Sequence, residues 1–222
     1  MKLAVPIITA FILFGAGILY YIKYEMDKSQ EEVLQNFVRK EKGSILFLIL
    51  MMILDIALAV FLHLFYPDNT IFTNLKCVIL IVILSVTAVT DFKHHLIPNP
   101  VIIAGLVMRL VIALTEVFTM GSSYFSVLKT DLISLAFPVF LFLMGTFVVK
   151  NGIGMGDIKL ILVMGLFQGF YGVIVSLFLA LLGAMVIAII LLITKKKGRK
   201  DAIPFGPALL FGAFLAIILT GI

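Results

Sequence analysis

Two aspartates stand at the edges of long apolar runs. One lies in Thr90-Asp91-Phe92-Lys93-His94-His95-Leu96-Ile97-Pro98-Asn99, the other in Gly152-Ile153-Gly154-Met155-Gly156-Asp157-Ile158-Lys159-Leu160. A carboxylate at the margin of hydrocarbon costs free energy, so two of them in segments rich in helix-breaking Gly and Pro read as a working site. Paired carboxyls suit peptide hydrolysis: an ionised one takes a proton from water while a protonated one polarises the scissile carbonyl. Held about 3 Å apart, two such groups share a proton because both cannot ionise together. The alternating Gly152, Gly154 and Gly156 strip side chains from the backbone leading into Asp157 and leave room for an extended chain to hydrogen-bond there. Taken singly, either Asp could equally be an interfacial charge that anchors a helix end; the joint pattern favours chemistry.

The elements that must position this pair are membrane helices. Apolar residues make up 63% of the 222 positions and charged ones only 13%, a composition of a polytopic membrane protein. Eight apolar runs, at about 3–22, 44–66, 72–90, 99–118, 126–149, 158–171, 173–193 and 205–222, predict an all-α chain of about eight transmembrane helices. The runs 158–171 and 173–193 are parted only by Gln168-Gly169-Phe170-Tyr171-Gly172, which predicts a helical hairpin with a tight turn. The division expected is an N-terminal two-helix segment, 1–71, with a short loop at 23–43, followed by a six-helix core, 72–222.

With both termini outside, most of the 17 Lys and Arg fall in cytoplasmic segments, including Lys93, Lys159 and the run Lys195-Lys196-Lys197-Gly198-Arg199-Lys200. Both Asp91 and Asp157 then face the cytoplasm from opposite chain directions. The net charge of +5 follows from topology and contact with anionic lipid, and no nucleic-acid partner is expected. The lone Cys77 has no partner for a disulfide and reads as a small buried hydrophobe. The polar stretch from Lys23 to Ser44, with Val33, Leu34, Phe37 and Val38 at helical spacing, suits either an amphipathic surface helix or a solvated connector.

Three elements together resemble the type IV prepilin peptidases, membrane aspartyl proteases of the Gly-x-Gly-Asp class. Asp91 stands six residues before Ile97-Pro98; Gly154 to Leu160 fits Gly-x-Gly-Asp-x-Lys-Leu; and Pro204-Phe205-Gly206-Pro207 supplies the third element. The resemblance covers roughly residues 72–222. It implies that Asp91 and Asp157 are the catalytic pair and that the substrates are prepilin or pseudopilin precursors, cut after a short leader at the cytoplasmic face of the plasma membrane. It also implies that Pro98, Lys159, the glycines 152, 154 and 156, and Pro204 to Pro207 shape or contact the substrate groove. Many relatives methylate the new N-terminus through a longer first loop with paired cysteines. Here that loop is about 21 residues and lacks cysteine, so peptidase activity without methylation is expected.

Asp55 and Arg109 lie mid-run in the second and fourth apolar segments, at similar depth, which predicts a structural ion pair between them. His94 and His95 are near enough to Asp91 in sequence to influence it, though ordinary interfacial roles suffice. His63, Glu116, Lys129 and Asp131 fall near outer helix ends and read as interfacial contacts. No His/Cys cluster has metal-ligand spacing, so no metal or other cofactor is expected. Two rival classes are a small ion-coupled transporter using Asp55, Arg109 and the boundary carboxylates, and a presenilin-like intramembrane protease, which Pro207-Ala208-Leu209 literally suits.

Overall fold

The structure, a computed structural model, describes residues 2–29, 41–121, 128–129, 132–133, 135–136, 139–140, 154–193 and 204–222. Among these residues it is all helical. Six helices follow in order: α1 (Ala4–Ser29), α2 (Lys42–Phe65), α3 (Ile71–His94), α4 (Asn99–Met120), α5 (Met155–Ile193) and α6 (Gly206–Thr220). The first five are long and apolar enough to cross a membrane, as expected of an integral membrane protein. At 15 residues α6 rises only ~22 Å, so the run expected to span at 205–222 falls short of the ~30 Å hydrocarbon core. Of the expected helix 126–149, only residues 128–129, 132–133, 135–136 and 139–140 are described, and they are helical. Val33, Leu34, Phe37, Val38 and the basic run 195–200 lie outside the described residues.

The bundle is built around α3. Within its membrane-crossing window 72% of residues are buried, against 22–33% in the other four long helices. Its core stretch, Val78 to Val89, is β-branched and aliphatic on every face, the mark of a helix covered all round. The polar residues it carries return their hydroxyls to their own backbone: Ser85 donates to Ile81 O at 2.7 Å and Thr87 to Ile83 O at 2.9 Å. They can therefore be buried without partners on other helices. Around α3 pack α1, α2, α6, α5 and α4.

Helix α5 is two arms, parted at Gly169, whose φ of 71° is the left-handed conformation glycine adopts without strain. Along the first arm, Gly156 meets Ile97, Val163 meets Gly105, and the Leu166 carbonyl accepts from Arg109, so this arm runs parallel to α4. Along the second, Gly183 meets Phe211 while Gly212 meets Ser176 and Ala180, so positions fall along α5 as they rise along α6 and the two run antiparallel. Since α6 starts beside Asp91 and ends beside Tyr66, and Asp91 and Tyr66 lie at opposite ends of the bundle, the arms reverse direction and form the hairpin foreseen at 168–172. Ser176 closes its turn by donating to Gln168 Oε1 at 2.8 Å. At Gly212 a Cβ would fall 2.2 Å from the Ser176 carbonyl oxygen and 2.6 Å from the Ala180 nitrogen, so this approach of α6 to α5 admits only glycine.

The mid-bundle ion pair expected between Asp55 and Arg109 is not formed. Arg109 instead donates to Glu116 Oε2 at 3.1 Å and to the Leu166 carbonyl at 2.8 Å, and Glu116 also holds Lys76 at 2.9 Å. Among the described residues neither Asp55 oxygen has a hydrogen-bond partner. Equal depth does not fix azimuth: Asp55 turns with Leu58 and Leu62 into the core, whereas Glu116, two turns along the same face of α4, lies within reach of the Arg109 side chain.

Candidate active site

Asp91 sits in the last turn of α3 and is 6% exposed. Its helix stops abruptly: His95 takes the left-handed conformation at φ 51°, its N–H donating to Asp91 O at 2.8 Å, and Pro98 then starts α4 with φ −68°. A His in that region is uncommon but tolerated, and a following proline disfavours continuation of the helix. The result is a sharp connector that carries Ile97 and the buried Pro98 back beside the α3 end.

From the opposite side comes α6. The Gly206 N–H donates to Asp91 Oδ2 at 2.6 Å, which sets the carboxylate against the first turn of a helix, where N–H groups and the macrodipole favour an anion. A Cβ on Gly206 would stand 3.0 Å from Asp91 Cβ and Oδ2 and 3.4 Å from Ala88 Cα. Pro204, Phe205 and Pro207 are half-buried around this contact, with Pro207 in the first turn where its missing N–H costs nothing.

Asp157 is the third residue of α5 and half-buried. A Cβ on Gly154 would lie 2.9 Å from Asp157 Oδ2, and one on Gly156 would meet Ile97 at 3.2 to 3.4 Å. Gly156 thus lets α5 press its first turn against the connector that follows Asp91, and Gly154 leaves room for the Asp157 carboxyl. Lys159 points to the same connector, donating to Asn99 Oδ1 at 3.0 Å. Gly156 packs on Ile97, six residues after Asp91, and Gly206 packs on Asp91 itself, so the fold brings both aspartates, 66 residues apart in sequence, to the same end of the bundle. Gly152 lies outside the described residues.

A second polar cluster adjoins the Asp91 turn and was not legible beforehand. Lys93 is salt-bridged to Glu41 and stands 3.8 Å from Glu25, while His94 Nε2 is 2.6 Å from Glu25 Oε1. Tyr21 and Ser44 donate to Glu41 Oε2 at 2.9 and 3.3 Å. Burial alone would raise the Glu41 carboxyl, but the hydrogen bonds from Lys93, Tyr21 and Ser44 hold it below its usual range. The available signal was a surplus of charge on both flanks of the first loop, which does not say what it meets. Among the described residues no group of three His, Cys, Asp or Glu side chains is arranged to hold a metal ion.

A family model described as the type IV leader peptidase family matches residues 78–193, more than half of the chain and a stretch that contains both aspartates. Comparisons with curated proteins and with solved structures returned no match. The sharp α3 stop at Asp91, the glycine-cleared start of α5 at Asp157 and the family match agree, and the chain belongs to the type IV leader peptidase family.

Proposed function

We propose that this protein is a membrane aspartic endopeptidase whose dyad is Asp91 and Asp157, acting on prepilins or prepilin-like precursors. The observation that supports it is that the α3 stop, the α5 start and the α6 N-terminus, which carry or contact the two carboxyls remote in sequence, pack together at one end of the bundle. Asp91, accepting the Gly206 N–H, suits the base that removes a proton from water as its oxygen attacks the scissile carbonyl carbon. Asp157, in a more open setting, suits the acid that donates to the carbonyl oxygen. The proton on Asp91 then passes to the amide nitrogen as the C–N bond breaks, and Asp157 recovers its own when the carbonyl re-forms. Peptidase activity of the family supports this reading, and the chemistry calls on no methyl transfer.

The charge bias of the loops supports an active site on the cytoplasmic side of the plasma membrane with both termini opposite. A substrate inserted as a helix must unwind at the cut, so a glycine or other weak helix former beside the scissile bond is expected. The stretch 72–222 then forms the peptidase core, with 1–71 bracing it. Co-expression with a prepilin tests the proposal: the leader is lost with the wild type and retained with Asp91→Asn or Asp157→Asn. Cleavage that persists in either variant removes the dyad.

A further inference from the structure

The carboxylates of Glu25 and Glu41 come from α1 and the start of α2, outside the stretch that matches the family, yet both converge on the turn that bears Asp91. They are 5% and 8% exposed, unusual for glutamates unless each has a partner. Each has one or more: Glu25 engages His94 and Lys93, and Glu41 engages Lys93, Tyr21 and Ser44. The Tyr21 ring lies 5.9 Å from the Lys93 ammonium and the Tyr24 ring stands edge-on to His94. Helix α1 runs past its apolar part to Ser29, and this extension is what delivers Glu25.

On a helix of 3.6 residues per turn, Lys93 leaves the axis about 200° round from Asp91, on the opposite side, and His94 about 60° from it, on its flank. The last turn of α3 is therefore gripped from two directions: by Gly206 on the Asp91 oxygen, and by the two glutamates on the Lys93 and His94 side chains. Helix α3 ends at His94, so no further turn of the same helix follows to hold this one. A roll of ~10° about the axis moves an atom ~5 Å off it by ~0.9 Å, and a misplacement of about 1 Å can cost ~100-fold in rate.

We infer that Glu25 and Glu41 are positioning residues for the peptidase reaction, holding Lys93 and His94 so that the Asp91 carboxylate stays aimed at Asp157. The inference rests on the dyad proposed above. Its first test is kinetic, on purified full-length protein cleaving a prepilin. The double variant Glu25→Gln/Glu41→Gln loses about 10- to 100-fold in kcat with KM little changed, and Lys93→Arg, which can still bridge both carboxylates, stays near wild type while Lys93→Met falls with the double variant. A loss confined to KM, or one that only tracks the folded fraction, overturns the inference.

A second test does not need activity. In a Cys77→Ala background, the pair Asp91→Cys/Asp157→Cys is oxidised with copper phenanthroline. Adding Glu25→Gln/Glu41→Gln slows disulfide formation several-fold if the glutamates aim residue 91; an unchanged rate contradicts the inference. Absence of leader cleavage by the wild type would remove the functional proposal itself, leaving the cross-linking rate to judge the positioning role.

Discussion

Asp91 and Asp55 are both carboxyls buried among apolar helices, and the fold treats them in opposite ways. Asp91 receives a helix N-terminus, a glycine that makes way for it, and a braced turn on either side. Asp55, fully buried on α2, has neither oxygen hydrogen-bonded. An unpaired buried polar group costs stability, and among the described residues no hydrogen bond to Asp55 offsets that cost. Depth in the bilayer therefore does not mark the working carboxylate. Investment by neighbouring elements does.

The sharpest way to break this contrast is to neutralise each Asp in turn. Asp91→Asn should lower kcat on a prepilin by roughly 10⁴-fold or more, as expected when one member of a catalytic unit is lost, while Asp55→Asn keeps wild-type turnover. Equal losses would mean that Asp55 belongs to the machinery. Next comes the glycine that admits Asp91. Gly206→Val places branched carbon where even a Cβ alone would stand 3.0 Å from the carboxylate, and should reduce kcat by about 100-fold while the protein still inserts and folds.

The third effect is on stability and is remote from the site. Replacing Glu116 by Leu takes the buried carboxylate from Arg109 and from the half-buried Lys76, and should lower the thermal unfolding midpoint. Asp55→Leu, by contrast, removes an unpartnered polar group and should leave the midpoint unchanged or raise it. The smallest effect is a pH dependence at Glu41. Its folded-state titration is lowered, so the stability from its pairing with Lys93 is fully present above its unfolded value and is lost as pH falls through the lowered one. Glu41→Gln should flatten the acid limb of an unfolding midpoint measured against pH; Glu25, Lys93 and Tyr21, which share the cluster, set the residual slope.

Much of the fold was legible because lipid demands apolar length. The second, third and fourth runs return as α2, α3 and α4 within a few residues, and Gly169 sits inside the anticipated turn. Where the reading slipped, hydropathy had been asked for something it does not encode. It ended α1 at residue 22, where the apolar run meets Lys23, but backbone hydrogen bonds carry the helix to Ser29. Hydropathy also matched Asp55 to Arg109 by depth, although pairing depends on which way each side chain leaves its helix. The Glu116 partner was visible as a residue two turns along the same face. At the site, Asp91, Gly154, Gly156, Asp157 and Gly206 could be picked out because their spacing is unusual, but Glu25 and Glu41 could not, since their meaning arises only once α1 and α2 are folded against α3.

The central claim is that Asp91 and Asp157 meet, and trapping the meeting tests it most directly. In a Cys77→Ala background, Asp91→Cys/Asp157→Cys is compared with Ile97→Cys/Gly156→Cys, a control pair at which a Cβ on residue 156 would stand 3.2 Å from the Ile97 Cβ, a few tenths of an ångström inside the spacing a disulfide needs. The account predicts that mild oxidation closes both pairs within single chains. Ready closure of the control pair with none between positions 91 and 157 would contradict it.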